Sequence, residues 1–169
     1  MKTNIQLLVC LLIMCAGNSA FSQKQVPPEG AQPKDFTLPP KTTFTLGNGL
    51  TATLVQFGMI PKVTVRTVIR SGNINEAENE VWLADLTGDM MKEGTATHSS
   101  QEIAKDAARM GGGIDIAVGD DQTQVAGEVL SEFGGEFVRL LADVIRNPKF
   151  PESELKRLKN DRIRQLSID

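Results

Sequence analysis

The spacing of apolar and polar positions changes several times along the chain, and each change predicts an element. Phe44 to Leu46 and Leu50 to Val55 flank Asn48-Gly49, a pair that accepts the positive φ of a tight turn, so this stretch predicts a β-hairpin. A further β run follows Pro61, carried by Val63, Val65, Val68 and Ile69. Beyond the Ser71-Gly72-Asn73 turn the period becomes helical: Trp82, Leu83, Leu86 and Met90 share one face, and Gly94 is the predicted stop. Ser99 followed by Glu102 is a capping-box pattern that opens a second helix through Met110, ended by Gly111-Gly112-Gly113. Ile114 to Val118 and Gln124 to Leu130 predict two strands around the acidic turn Gly119-Asp120-Asp121. Phe133, Phe137, Leu140, Leu141, Val144 and Ile145 then form a broad helical stripe, which Pro148 ends, and Pro151 opens a last, charged helix.

The order βββ-αα-ββ-αα predicts an α+β fold, a largely antiparallel sheet with helices packed on one face. No internal repeat is visible. The last helix still carries Ile163 and Leu166 at helical spacing when the sequence stops at Asp169 without a cap or loop, so the expectation is a domain incomplete at its C-terminus.

Composition changes this picture mainly at the N-terminus. Met1 to Ser22 has the build of a secretory signal: Lys2 supplies the charge, Leu7 to Met14 the apolar run, and Ala20-Phe21-Ser22 the small-x-small cleavage pattern. That run is too short for the roughly 20 residues of a membrane helix, and no other stretch approaches it, so no transmembrane segment is expected. Cleavage near Ser22 predicts an exported product, periplasmic or secreted. It also removes Cys10 and Cys15, leaving neither a disulfide nor a thiol ligand. Retention of Cys15 as a lipid-bearing residue would need a small residue where Met14 stands. Residues 23–41, rich in Pro, Gln, Lys and Gly, predict an extended leader, and 42–169 the folded part. With 40% hydrophobic and 23% charged residues, a net charge of -3 and no basic cluster, the chain offers a globular core but no nucleic-acid surface.

Several segments, in this order, resemble the insulinase/pitrilysin family of zinc peptidases, to which the mitochondrial processing peptidases belong. They are FTLGNGLTATLV, VRTVIRSGNINEAENEVWLADLTGDMMKEGT, SSQEIAKDAARMGGGIDIAVGDDQT and RNPKFPESELKRLKNDRIRQL, which cover about Thr42 to the C-terminus. The resemblance implies the metallohydrolase fold of the processing-peptidase type and an N-terminal domain. Because family members are much longer, it also implies that the sheet here is incompletely covered, with an exposed apolar face.

Active members carry the inverted motif H-x-x-E-H on the first helix, with two metal-binding histidines on one face and a glutamate that activates water. Aligned on Gly94-Thr95, the first histidine falls on Asp85, the glutamate on Gly88 and the second histidine on Asp89. The remaining family ligand, a glutamate on a later helix, falls at or beside Gln165, next to Arg164. The chain holds a single histidine, His98. The expectation is therefore a catalytically degenerate member, with no catalytic, cofactor-binding or metal residue of its own and no zinc.

Each singled-out residue also has a plain reading. Asp85 and Asp89, at i and i+4, have the spacing to hold Mg²⁺ or Ca²⁺, but two carboxylates on a helix edge are ordinarily solvated, and that is the expectation here. His98 reads as a loop or near-cap residue. Asp120-Asp121 lacks calcium-loop spacing and reads as a turn, while Met90, Met91 and Trp82 read as packing. The resemblance implies a non-catalytic subunit that supports an active zinc-bearing family member as hetero-oligomer partner and binds extended peptides. The alternatives are an active metallopeptidase with an atypical site on Asp85, Asp89 and His98, and a peptide-binding module with Ile114 to Val118 as the receiving edge.

Overall fold

The computed structural model of the chain describes residues 30, 35 and 37–167; the expected signal segment and most of the expected leader lie outside them. The chain divides into two compact units, Met1–Phe57 and Gly58–Asp169, each described by itself. In the first, β1 (Lys41–Thr45) pairs antiparallel with β2 (Thr51–Val55), placing Phe44 opposite Ala52. The connection contains the predicted Asn-Gly pair: Gly49 has φ +85°, and the Asn48 side-chain oxygen accepts from the Leu50 N–H at 3.1 Å.

The second unit is built on an antiparallel three-stranded sheet of order β3-β5-β4, with β3 at Lys62–Ile69, β4 at Asp115–Val118 and β5 at Thr123–Leu130. Its register aligns Val63 with Val129, Thr67 with Val125 and Ile116 with Val125, so these residues share one face. Four helices follow the predicted order: α1 at Leu83–Met91, α2 at Ser100–Arg109, α3 at Gly134–Arg146 and α4 at Glu152–Leu166. Met91 of α1, Ile103 and Ala107 of α2, and Phe137, Leu140, Leu141 and Val144 of α3 bury against Val125 and Val129. Removing this apolar surface from water is the main stabilising term of the unit.

The opposite face of the sheet is mixed, with Val68 and Leu130 as its exposed apolar side chains among polar neighbours. It carries Lys62, Thr64, Arg66, Asp115 and Glu128, and Lys62 and Thr64 both donate to the Glu128 carboxylate. Val68 belongs to this face rather than with Val63 and Val65, because side chains alternate along a strand and Val68 is out of phase with them.

The capping box forms as predicted: Ser99 accepts from the Glu102 N–H at 3.3 Å, and the Glu102 carboxylate accepts from the Ser99 N–H at 2.8 Å. The bond from the Ser99 N–H, with a second from the Ser99 hydroxyl at 2.8 Å, holds the Glu102 carboxyl below its usual range. Two boundaries differ from expectation. Trp82 is not helical but adopts a left-handed φ of 69° just before α1. Gly94 is not the stop of α1, which ends at Met91 and unwinds through Lys92 and Glu93. Gly94, at φ +131°, instead turns the chain into a short bridge with Ser99.

Candidate functional site

The positions singled out by the motif gather on α1 and α4. The start of α1 is held from outside the helix. The Glu76 carboxylate accepts from the Trp82 N–H at 3.0 Å and the Ala84 N–H at 2.8 Å, placing a negative charge at the helix N-terminus. Asn73, in the 3-10 turn Asn73–Asn75, donates to the Asp85 Oδ2 at 2.6 Å and so fixes that carboxylate.

One turn further along, Asp89 faces the same way as Asp85. The Arg162 Nη2 of α4 reaches both, donating to Asp89 Oδ2 at 2.9 Å and lying 3.4 Å from Asp85 Oδ1. The three side chains are only 23–32% exposed. The expected solvated carboxylate edge is thus corrected: a guanidinium 73 residues away in sequence joins the two. Gln165 also comes to this place, lining a recess with Asp89, Leu158, Asp161 and Arg162. A second arginine ties α4 to the end of α1, since Arg157 donates to Glu93 at 2.6 Å.

Gly88 lies buried between Asp85 and Asp89 on the helix. A Cβ there would stand 2.8 Å from Val118 Cγ2 and 3.4 Å from Ile116 Cγ2, so the missing side chain is what lets α1 sit directly on β4. Gly88 itself offers no side chain that could act as an acid or base.

His98 joins a different cluster. Its Nδ1 lies 3.1 Å from Asp143 Oδ2, and its Nε2 is 4.0 Å from Asp106. The Asp143 carboxylate also accepts from Thr95 at 2.6 Å, Thr97 at 2.9 Å and Asn147 at 2.8 Å. Burial pushes the Asp143 carboxyl up, yet the bonds from Thr95, Asn147, Thr97 and His98 outweigh it and hold the group far below the usual carboxylate range. The Thr95 hydroxyl is buried and accepts in turn from the His98 N–H at 2.9 Å. This cluster sews the loop after α1 to the end of α3, helped by Ala96 N–H donating to Asn147 and Lys149 N–H donating to Gly94.

The atypical site imagined on Asp85, Asp89 and His98 is therefore not assembled, because the carboxylates close on Arg162 while His98 closes on Asp143. No group of three or more His, Cys, Asp or Glu placed to hold a metal ion occurs among the described residues. Among them, too, no helix is long and apolar enough to cross a membrane. Asn73, Glu76, Asp143 and Arg162 went unflagged in the sequence. For Arg162 the available sign was only an arginine in the charged helix that also carries Gln165.

Comparison with known proteins gives a consistent family. Residues 57–167 match the model of the insulinase family, peptidase family M16. A protein from Rickettsia felis described as an uncharacterized zinc protease is 28% identical over 110 residues, which are 65% of this chain and 27% of that protein. The uncharacterized zinc protease YmxG of Bacillus subtilis is 28% identical over 117 residues, 69% of this chain and 29% of that protein. The chain thus spans under a third of the length of these relatives. A peptidase M16 inactive domain from Pseudomonas fluorescens aligns with a TM-score of 0.66 at 24% identity, over 72% of this chain and 30% of that one. A protease from Helicobacter pylori aligns with a TM-score of 0.65 at 21% identity, over 70% and 29%. At these identities the two structures speak for the α+β fold.

Proposed function

This chain belongs to the insulinase family, peptidase family M16, and we propose that it is a catalytically silent member that supports peptide binding or proteolysis by a zinc-bearing partner. The observation that carries this reading is the state of the four family positions. Two are aspartates bridged by Arg162, one is Gly88, and one is Gln165. These residues do not fit zinc. A catalytic site needs three good donors, usually imidazole or thiolate, with an open position, whereas Gln165 offers a neutral amide and Arg162 donors only. The fold around them is nevertheless kept, with a tightly packed core and a fully bonded α1–α3 connection.

The proposed partner is an active, zinc-bearing family member that shares the exported compartment, periplasmic or extracellular, reached after export directed by Met1 to Ser22. The test is to mix the purified chain with such a member. The expected result is co-purification and faster hydrolysis of an extended peptide than the partner achieves alone. Failure both to bind and to stimulate would refute the supporting role.

One observation favours a second reading, direct binding of extended peptide. Among the described residues β4 pairs on one side only, with β5, so Asp115 to Val118 presents an open strand edge there. Isothermal titration with an unfolded peptide in the absence of any peptidase tests it. Saturable binding, lost when proline replaces Ala117, supports the reading, and no heat of binding contradicts it.

A further inference from the structure

We propose that Arg162 occupies the metal's place, so that the site is closed to zinc by a cation of the chain's own and not merely by the loss of ligands. The inference rests on the family reading above, which supplies the correspondence of Asp85, Asp89 and Gln165 with ligand positions.

Several observations converge. One nitrogen, Arg162 Nη2, lies within reach of both carboxylates on the ligand face of α1, at 2.9 and 3.4 Å. Asp85 is fixed toward it by Asn73, which donates to the other oxygen at 2.6 Å. The same arginine lines the recess that holds Gln165. A guanidinium has five donors, no lone pair and a permanent single charge, so it can hydrogen-bond to both carboxylates and cancel one of their two charges, but it offers no lone pair to a divalent cation. It also fastens α4 to α1, a role that a metal held between two helices would otherwise fill. Arg157 makes a neighbouring tie from α4 to Glu93, in the segment just after α1, so Arg162 is one of two arginines that dock α4.

The silence of the site is then doubly enforced, and restoring ligands alone will not reverse it. The experiment compares two full-chain variants, D85H/D89H/Q165E with Arg162 retained and the same three changes with R162L added. Gly88 is kept in both, since a side chain there meets Val118. After dialysis against zinc, metal content is measured directly, without any activity assay. The expected result is zinc near one per chain with R162L and well below that with Arg162. Equal zinc content in the two, whether none or one, overturns the proposal.

A second measurement holds even if the multiple variants fail to fold. R162L alone should lower Tm by about 4 °C, and by much less in a D85N/D89N background, since part-exposed ion pairs contribute modestly and mainly through each other. Chelator should leave the Tm of the unaltered chain where it is. A Tm unmoved by R162L, or lowered equally in both backgrounds, overturns the clamp. Stoichiometric zinc in the unaltered chain would instead refute the family-based reading of a silent site.

Discussion

The hydroxyl of Thr95 donates a 2.6 Å hydrogen bond to the carboxylate of Asp143, joining the loop after α1 to α3 across 48 residues of sequence. Removal of the charge by Asp143→Asn should cost about 1.5–3 kcal/mol, the range for hydrogen bonds to a charged group. The cost is pH-dependent in a definite direction. The folded carboxyl is held below its unfolded value, so the stabilisation is fully present above about pH 4 and is lost as pH falls through the lower folded value. Urea melts at neutral and acidic pH check this: the gap between the unaltered chain and Asp143→Asn should be wide at pH 7 and shrink below about pH 4.

Gly88 offers a test with opposing terms. Alanine in a helix interior is favoured over glycine by about 1 kcal/mol, whereas overpacking of a close contact costs about 1–3 kcal/mol. With Val118 only 2.8 Å from the new Cβ, the steric term should dominate and Gly88→Ala should destabilise. In a Val118→Ala background the same change should become neutral or stabilising, as a double-mutant cycle in urea would record.

Phe137 is wholly buried against β5, and its ring lies where a side chain on Gly127 would have to go. Phe137→Ala should cost about 3–5 kcal/mol. Against a total of about 5–15 kcal/mol for a domain, that loss should broaden or abolish the cooperative melt followed by circular dichroism.

Export is checked by expressing the full sequence and sequencing the N-terminus of the mature product. A first residue of Gln23, or one close to it, recovered outside the cytoplasm is expected. A product that keeps Met1 and stays in the cytoplasm contradicts the signal reading.

Much of the fold was legible because its determinants are local. Asn48-Gly49 specified its turn, Ser99 and Glu102 their cap, and Pro148 and Pro151 the gap between α3 and α4. Trp82 departs from its helical spacing because that spacing carries no sign of a left-handed backbone, adopted here where the Trp82 N–H donates to Glu76. The site was half legible. Motif spacing singles out Asp85, Gly88 and Asp89, but nothing nearby in sequence marks Arg162 as the partner of the two aspartates, because that ion pair exists only once α4 has docked on α1. His98 was read as a loop residue, and it is one, but its tie to Asp143 likewise depends on long-range packing.

The central claim is that this family member holds no working zinc site. Its most direct test is the zinc content of the purified chain after zinc dialysis, measured alongside hydrolysis of an unfolded peptide by the chain alone. The account predicts zinc well below one per chain and no cleavage. Zinc near one per chain together with metal-dependent hydrolysis would contradict it.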